Sequence, residues 1–274
     1  MAKKKKARTP NVPPSSYQPP VESAAPSTTA PAKTQTATSA TKVRTSQRER
    51  ERRRNQLLLI GGAIAIGALV LAALIMNSRA QAQVAAPPAA SDFPAELIAR
   101  NVKGSPEAQV VVAEYSDFEC PYCKTFAQGP MEQLADEYIR DGRVRFEFKH
   151  YPLPQHNPSA TQAALAAECA ADQGRFWDMH DYLFQEAGKQ GTNTFSLNRL
   201  QNMADQLGLD TAAFNSCLSN QTHIQTVQGH IREGQDSFVN ATPTVIVNGQ
   251  KLGTPDYATL KAAIDAELQR LGQS

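Results

Sequence analysis

The chain has 274 residues, 41% of them apolar and 20% charged, with a net charge of +2; that is room for one large domain or two small ones. Its first 55 residues hold 13 Lys and Arg against only Glu22, Glu49 and Glu51, so the basic charge is confined to a tail, which excludes a uniformly basic nucleic-acid binder. Four cysteines are too few to staple a disulfide-dense mini-fold, but enough for one redox pair and one structural bridge.

Residues 1–55 read as a disordered basic cytoplasmic tail. Seven of the chain's 18 prolines lie in residues 1–45, among Ser, Thr and Ala, and such a composition buries too little surface to offset its ordering entropy. Lys3 to Lys6 either contact acidic lipid head groups or are simply solvated. Residues 56–77 contain the uncharged run LLLIGGAIAIGALVLAALIM at 57–76. At about 1.5 Å per residue it spans a bilayer core, so the segment reads as a transmembrane signal-anchor helix. Five arginines between Arg48 and Arg54 precede it and Arg79 follows it closely. The positive-inside rule then leaves the amino terminus in the cytoplasm and the carboxyl domain outside. The rival reading is a cleaved signal peptide ending at Ala80-Gln81-Ala82. Residues 78–93, rich in Ala, Gln and Pro, read as a tether.

Residues 94–274 have a globular composition. The run QVVVAEY at Gln109–Tyr115 predicts a buried strand, followed by a helix from Cys120 to Ile139 bent at Gly129-Pro130. Asp141-Gly142 predicts a turn and Arg143–His150 a second strand. Helices are expected at 159–172, 176–187, 196–207, 212–219 and 222–234, forming an inserted helical block over about 157–235. Thr244–Val247 and Gln250–Leu252 flank the hairpin turn Asn248-Gly249, and Asp256–Leu271 predicts a closing helix. The expected fold class is α/β, a central mixed sheet flanked by helices with a helical insertion.

Cys120-Pro121-Tyr122-Cys123 carries the chemistry. It follows a strand and opens a helix, where free N–H groups and the helix dipole stabilise a thiolate on Cys120. Cys120, at the exposed end, is the expected nucleophile and Cys123, one turn in, the resolving thiol. A zinc knuckle would need two further ligands, and the sequence holds no second CxxC and no HxxxH. An inert structural bridge is the other alternative. No metal and no cofactor besides a redox-active Cys120–Cys123 disulfide is expected.

Phe118-x-Cys120-Pro121-Tyr122-Cys123, together with Thr242-Pro243-Thr244 before a strand and an Asn248-Gly249 turn, resembles the thioredoxin superfamily. The segments CAADQGRFWDMHDYLF at 169–184 and GLDTAAFNSCL at 208–218 are similar to its DsbA-like branch, more narrowly to membrane-anchored bacterial members. The resemblance implies a thioredoxin-like fold over 94–271 and a protein thiol–disulfide oxidoreductase. It implies a cis Pro243 facing the cysteines, leaving the Thr242 backbone free to pair with substrate. It implies a buried acid at Glu114 with Lys149 as its partner, moving the proton of Cys123; a solvated strand-edge pair is the alternative. It also implies a structural Cys169–Cys217 disulfide, against two buried free thiols. Pro121 and Tyr122 flank the reactive thiol. Glu119 either raises the Cys120 pKa or points to water; His150 and His156 follow the second strand, and His156 reads as a helix-entry residue rather than a catalytic one.

The function these features imply is an extracytoplasmic thiol oxidase acting on exported, reduced or unfolded proteins. It would be reoxidised by a quinone-linked membrane oxidase of the vitamin-K-epoxide-reductase-like or DsbB-like type. The alternatives are a reductase or isomerase on the same fold, and a membrane-tethered chaperone-like module with a vestigial CxxC. No nucleic-acid partner is expected.

Overall fold

The computed structural model describes residues 38–89, 92–189 and 194–273. Helix α1 runs Thr38–Ala82. Its stretch Arg48–Arg79, whose most apolar 18-residue window has a mean hydropathy of 2.7, is long and apolar enough to cross a membrane. The helix begins well before the apolar run, so residues 38–55, expected within a disordered tail, are helical; the tail's first 37 residues lie outside those described. The reason is cooperativity: Gln, Arg and Glu are good helix formers, and a run of them extends an existing helix without a new nucleus.

The 78–93 segment is not a free tether either. Helix α1 takes it to Ala82, and the next residues are pinned to the globular domain. Gln185 Nε2 donates to Ala86 O at 2.7 Å, and Tyr182 Oη donates to Ala85 O. Arg199, buried with Glu186 at 2.6 Å, donates to Gln83 O.

The domain is built on one six-stranded sheet of order β1-β2-β4-β3-β5-β6. Strands β1 (Ile98–Ala99) and β2 (Val102–Lys103) form an edge hairpin absent from the sequence reading, each strand being two residues long. Strand β3 (Val110–Ser116) is central, parallel to β4 (Val144–His150) and antiparallel to β5 (Thr244–Val247). Strand β6 (Gln250–Gly253) closes the far edge. Between β3 and β4 the chain forms α2 (Pro121–Ala127) and α3 (Pro130–Leu134). The expected bend falls at Gly129-Pro130, because proline at the first helical position ends one helix and opens the next. After α3 the turn widens to π-helix at Ala135–Ile139, where Arg140 N donates to Ala135 O at 3.1 Å.

The insertion comprises α4 (Ser159–Ala171), α5 (Phe176–Glu186), α6 (Leu197–Gln206), α7 (Thr211–Ser219) and α8 (Ile224–Asp236). Helix α9 (Tyr257–Arg270) ends the domain. Apart from the edge hairpin β1–β2, the β-α-β, helical block, β-β-α order read from the sequence is the observed one.

The two sheet faces differ in what covers them. Phe148 stacks on Phe118 at 5.1 Å between ring centres and meets Phe176, Trp177 and His180 of α5. On the other face α8 lies directly against the sheet. A Cβ added at Gly234 would come within 2.9 Å of the Tyr115 ring and 2.8 Å of the Tyr151 ring, so only glycine permits that approach.

Cys169 on α4 and Cys217 on α7 are joined by a disulfide closing a 48-residue separation. In the chain-entropy account it contributes about 4 kcal/mol. Replacing both by alanine should therefore cost about that much in urea unfolding of the full chain in detergent, while thiol exchange at the other pair persists. Loss of exchange in the folded double variant would show that this bridge is not purely structural. Beside it, Asp172, Cys217 and His223 bring metal-ligating atom types together, but the Cys217 sulfur is engaged in the disulfide.

Candidate active site

The geometry around Cys120 follows from how β3 ends. Asp117 leaves the strand and makes an Asx turn, its Oδ1 accepting Glu119 N–H at 2.8 Å. Its other oxygen accepts Leu153 N–H at 2.8 Å and meets His156 Nδ1 at 2.7 Å. Its backbone carbonyl accepts Cys120 N–H at 3.0 Å, and its own N–H donates to Cys123 Sγ at 3.5 Å. Cys120 is then the residue that caps α2, with Pro121 in the first helical position. One buried aspartate thus holds both cysteines and ties their turn to the segment after β4. Sequence reasoning missed it, although an Asp three residues before a CxxC at a strand end is itself an Asx-turn signal. Asp117→Ala would orphan two backbone N–H groups and the His156 ring. It should lower stability by about 2–4 kcal/mol in urea unfolding, with Asp117→Asn restoring part of it; equal stability of the alanine variant would contradict the assignment.

Cys120 and Cys123 stand as thiols, 4% and 0% exposed. Cys120 is the outer of the two, as expected, but recessed rather than openly exposed. Its thiol donates to Thr242 O at 3.3 Å, and the Thr242–Pro243 peptide is cis. The Asn157–Pro158 peptide, which carried no such expectation, is cis as well.

The two thiols are electrostatically unlike. Hydrogen bonding from Cys123 draws the Cys120 pKa down to about 6 against the opposing effect of burial, with the nearby Thr242 hydroxyl, itself outside hydrogen-bonding geometry, and the N–H groups of Tyr122 and Cys123 assisting. Burial, the bond to Cys120 and the nearby Glu114 charge push Cys123 strongly upward. Glu114 is fully buried and its pKa is raised to about 8, mainly by burial; Ser116, itself outside hydrogen-bonding geometry, offsets only part of that.

Among the described residues, the buried polar atoms with no partner include both Glu114 oxygens, Ser116 Oγ and Thr242 Oγ1. All belong to the segments bearing or facing the two sulfurs. Unpaired buried polar groups are costly, and here they lie where a thiolate forms and a proton must move.

The expected pairing of Glu114 with Lys149 is corrected by the structure. In the parallel register Glu114 lies opposite Phe148, and Lys149 lies opposite Tyr115. Side chains alternate along a strand, so Lys149 is on the α8 face. Its ammonium bridges Glu147 at 3.1 Å and Glu233 at 3.3 Å.

Glu119 points neither at the thiol nor at open water. Its carboxylate accepts the Ser159 hydroxyl at the start of α4, and burial raises its pKa. His150 is buried, its Nε2 3.0 Å from Glu168, which also binds Arg100 at 2.6 Å. Burial would raise the Glu168 pKa, but His150 and Arg100 overcome it and hold it at about 2.

Residues 98–266 match the Thioredoxin_4 family model, described as Thioredoxin. The probable disulfide bond formation protein D of Bacillus anthracis is 28% identical over 221 residues, covering 79% of this chain and 98% of that protein. Other curated relatives are antiporters. Na(+)/H(+) antiporter NhaA 1 of Salinispora arenicola (strain CNS-205) is 37% identical over 172 residues, 60% of this chain and 24% of that protein. The chain thus spans about a quarter of the length of those curated relatives. Among solved structures, oxidised BdbD from Bacillus subtilis is similar at a TM-score of 0.57 and 26% identity, covering 68% of this chain and 98% of that one. DsbA2 of Pseudomonas aeruginosa is similar at 0.51 and 25%, covering 62% and 94%. With its helices inserted between the parallel strand β4 and the antiparallel strand β5, the chain belongs to the thioredoxin family, in the DsbA-like architecture of that family's thiol–disulfide oxidoreductases.

Proposed function

We propose that the chain is a membrane-anchored, extracytoplasmic thiol oxidase that passes its Cys120–Cys123 disulfide to reduced, exported proteins. The observation that carries this reading is the asymmetry of the pair, an outer sulfur with its pKa near 6 over a buried one pushed far upward. A stabilised outer thiolate favours the reduced form of the pair, and that makes its disulfide oxidising.

A substrate thiolate attacks Cys120 Sγ, the Cys120–Cys123 bond breaks, and Cys123 leaves with the electron pair. Glu114, protonated near neutral pH, supplies the proton that Cys123 takes up in its buried site. A second substrate thiolate attacks the substrate sulfur of the mixed disulfide, and Cys120 leaves as a thiolate. The substrate dithiol is oxidised by two electrons and the pair is reduced by two. A membrane oxidase of the DsbB-like or vitamin-K-epoxide-reductase-like type, linked to quinone, takes those electrons and restores the disulfide. Thr242 and Pro243 supply the edge on which an extended substrate lies.

The anchor reading rests on α1, and the orientation on the arginines before its apolar stretch. Protease added to spheroplasts should remove the 94–274 domain and spare the amino terminus; cleavage of the amino terminus instead would reverse the orientation. The activity is tested by mixing the oxidised full chain in detergent with a reduced, unfolded two-cysteine protein. Stoichiometric disulfide formation is expected. A disulfide on Cys120–Cys123 that survives the encounter would overturn the oxidase reading and favour a vestigial pair.

A further inference from the structure

Helix α8 ends in the backbone pattern that normally recruits glycine. Phe238 N–H donates to Gln235 O at 3.0 Å and Val239 N–H to Gly234 O at 2.8 Å, the paired bonds of a Schellman cap. The residue at the turn of that cap is Phe238, with φ +56°. Glycine suits such a backbone, and a bulky side chain there is a genuine outlier. Nothing in the fold compensates. Phe238 is 80% exposed, and its ring enters no stacked, edge-on or cation–π contact among the described residues. Its carbonyl is held by Lys251 Nζ at 2.9 Å, so the backbone is fixed while the ring stands in water.

Its position along the chain matters. The next carbonyl, that of Val239, accepts the Tyr151 hydroxyl at 2.8 Å, and Tyr151 N–H donates to Ser116 O at 2.8 Å. The loop therefore crosses the end of β3 and arrives at Thr242, whose carbonyl faces Cys120 Sγ. Four residues extend to at most about 14 Å, so the Cα of Phe238 lies no farther than that from the Cα of Thr242. In the globular domain the other described large apolar side chains that stand exposed are Tyr122, 68%, and Leu197, 42%. Tyr122 lies between the two cysteines. The two most exposed aromatics thus belong to the two segments that bound the reactive thiol.

We propose that Phe238 is a specificity-determining contact, an apolar platform that receives a large apolar side chain of the reduced polypeptide a few residues from its attacking cysteine. The proposal rests on the thiol-exchange reading and adds the class of sequence preferred. A local rule broken at a solvent-facing position without structural gain is expected at functional sites, and an aromatic contact is of the kind that dominates peptide interfaces.

The test uses the oxidised full chain in detergent and a series of reduced Gly/Ser peptides with one cysteine. A single Phe is placed two to five residues to either side of it, and an all-Gly/Ser peptide and dithiothreitol serve as references. At the best position the wild-type second-order rate constant should exceed that of the plain peptide about tenfold. Phe238→Gly should erase that ratio without lowering the unfolding midpoint, because glycine suits the backbone. Phe238→Leu should retain most of it. A preference unchanged in Phe238→Gly, or no preference in the wild type, overturns the proposal while leaving thiol exchange intact. A wild-type chain that oxidises neither peptide nor dithiothreitol overturns the thiol-exchange reading itself.

Discussion

Cys120→Ser is expected to lose thiol–disulfide exchange completely, and Cys123→Ser to accumulate mixed disulfides with substrate. The two differ because only the outer sulfur is both accessible and held as a good nucleophile and leaving group. Its pKa is near 6, so at pH 7 most of it is thiolate. Serine has no thiolate and forms no disulfide, so removing Cys120 removes the reaction. Removing Cys123 leaves the nucleophile but no internal thiol to release a covalently bound partner. Non-reducing gels of cells expressing each variant check this. Adducts in the Cys120→Ser strain, or none in the Cys123→Ser strain, would invert the assignment. A smaller effect should accompany Cys123→Ala, which unlike serine leaves no donor at that position. Cys120 loses the hydrogen bond that lowers its pKa most, so its thiolate absorbance should titrate at higher pH than in the wild type.

Glu114→Gln is expected to change both the rate and the pH dependence of stability. The carboxyl is fully buried, lacks a partner and has its pKa raised from the ordinary carboxylate value to about 8. In the folded state it holds its proton where the unfolded chain has released it. The contribution of this group is therefore full below about pH 4.5 and is lost as pH rises toward 8, at about 1.4 kcal/mol per pH unit, while the Cys120 thiol, with its pKa lowered to about 6, acts in the opposite sense above that pH. Glutamine does not titrate, so the variant should lose that slope and be the more stable of the two at pH 8. Glu168 acts in the opposite sense. Its folded pKa of about 2 makes its contribution present above about pH 4.5 and lost below it. In urea unfolding of the full chain at pH 5, 6.5 and 8, the difference between wild type and variant isolates the Glu114 effect, since Glu168 and Cys120 are common to both. Exchange should also slow in Glu114→Gln, because Cys123 loses the buried carboxyl proposed as its proton donor. A parallel pH profile in wild type and variant would remove Glu114 from the proton path.

Much of the fold was legible because its elements are long and their punctuation strong. β3 and β4 are runs of β-branched and aromatic residues, the insertion is a series of amphipathic stretches, and Asn248-Gly249 marks the last hairpin. β1 and β2 were not legible: two residues carry no periodicity, and they pair only because β4 offers them an edge. The cysteines and Pro243 were legible as motif residues. What faces Glu114 was not, because it depends on inter-strand register. A family resemblance pointed to Lys149, but the parallel pairing puts Phe148 opposite Glu114. A one-residue difference in register moves a side chain to the other face of a sheet. The carboxyl consequently has no cation to stabilise its charge, and its raised pKa follows from that. Asp117 was overlooked because its role is carried by hydrogen bonds to Glu119, Leu153 and His156, the last two brought to it by the turn after β4.

The central claim is that the pair is built to be reduced by its substrates. Its standard reduction potential, measured on the full chain by equilibration with glutathione, tests that most directly. A stabilised Cys120 thiolate predicts a potential more positive than about −180 mV, in the range of oxidants that donate disulfides. A value near −270 mV, that of a thioredoxin-type reductant, would contradict the account.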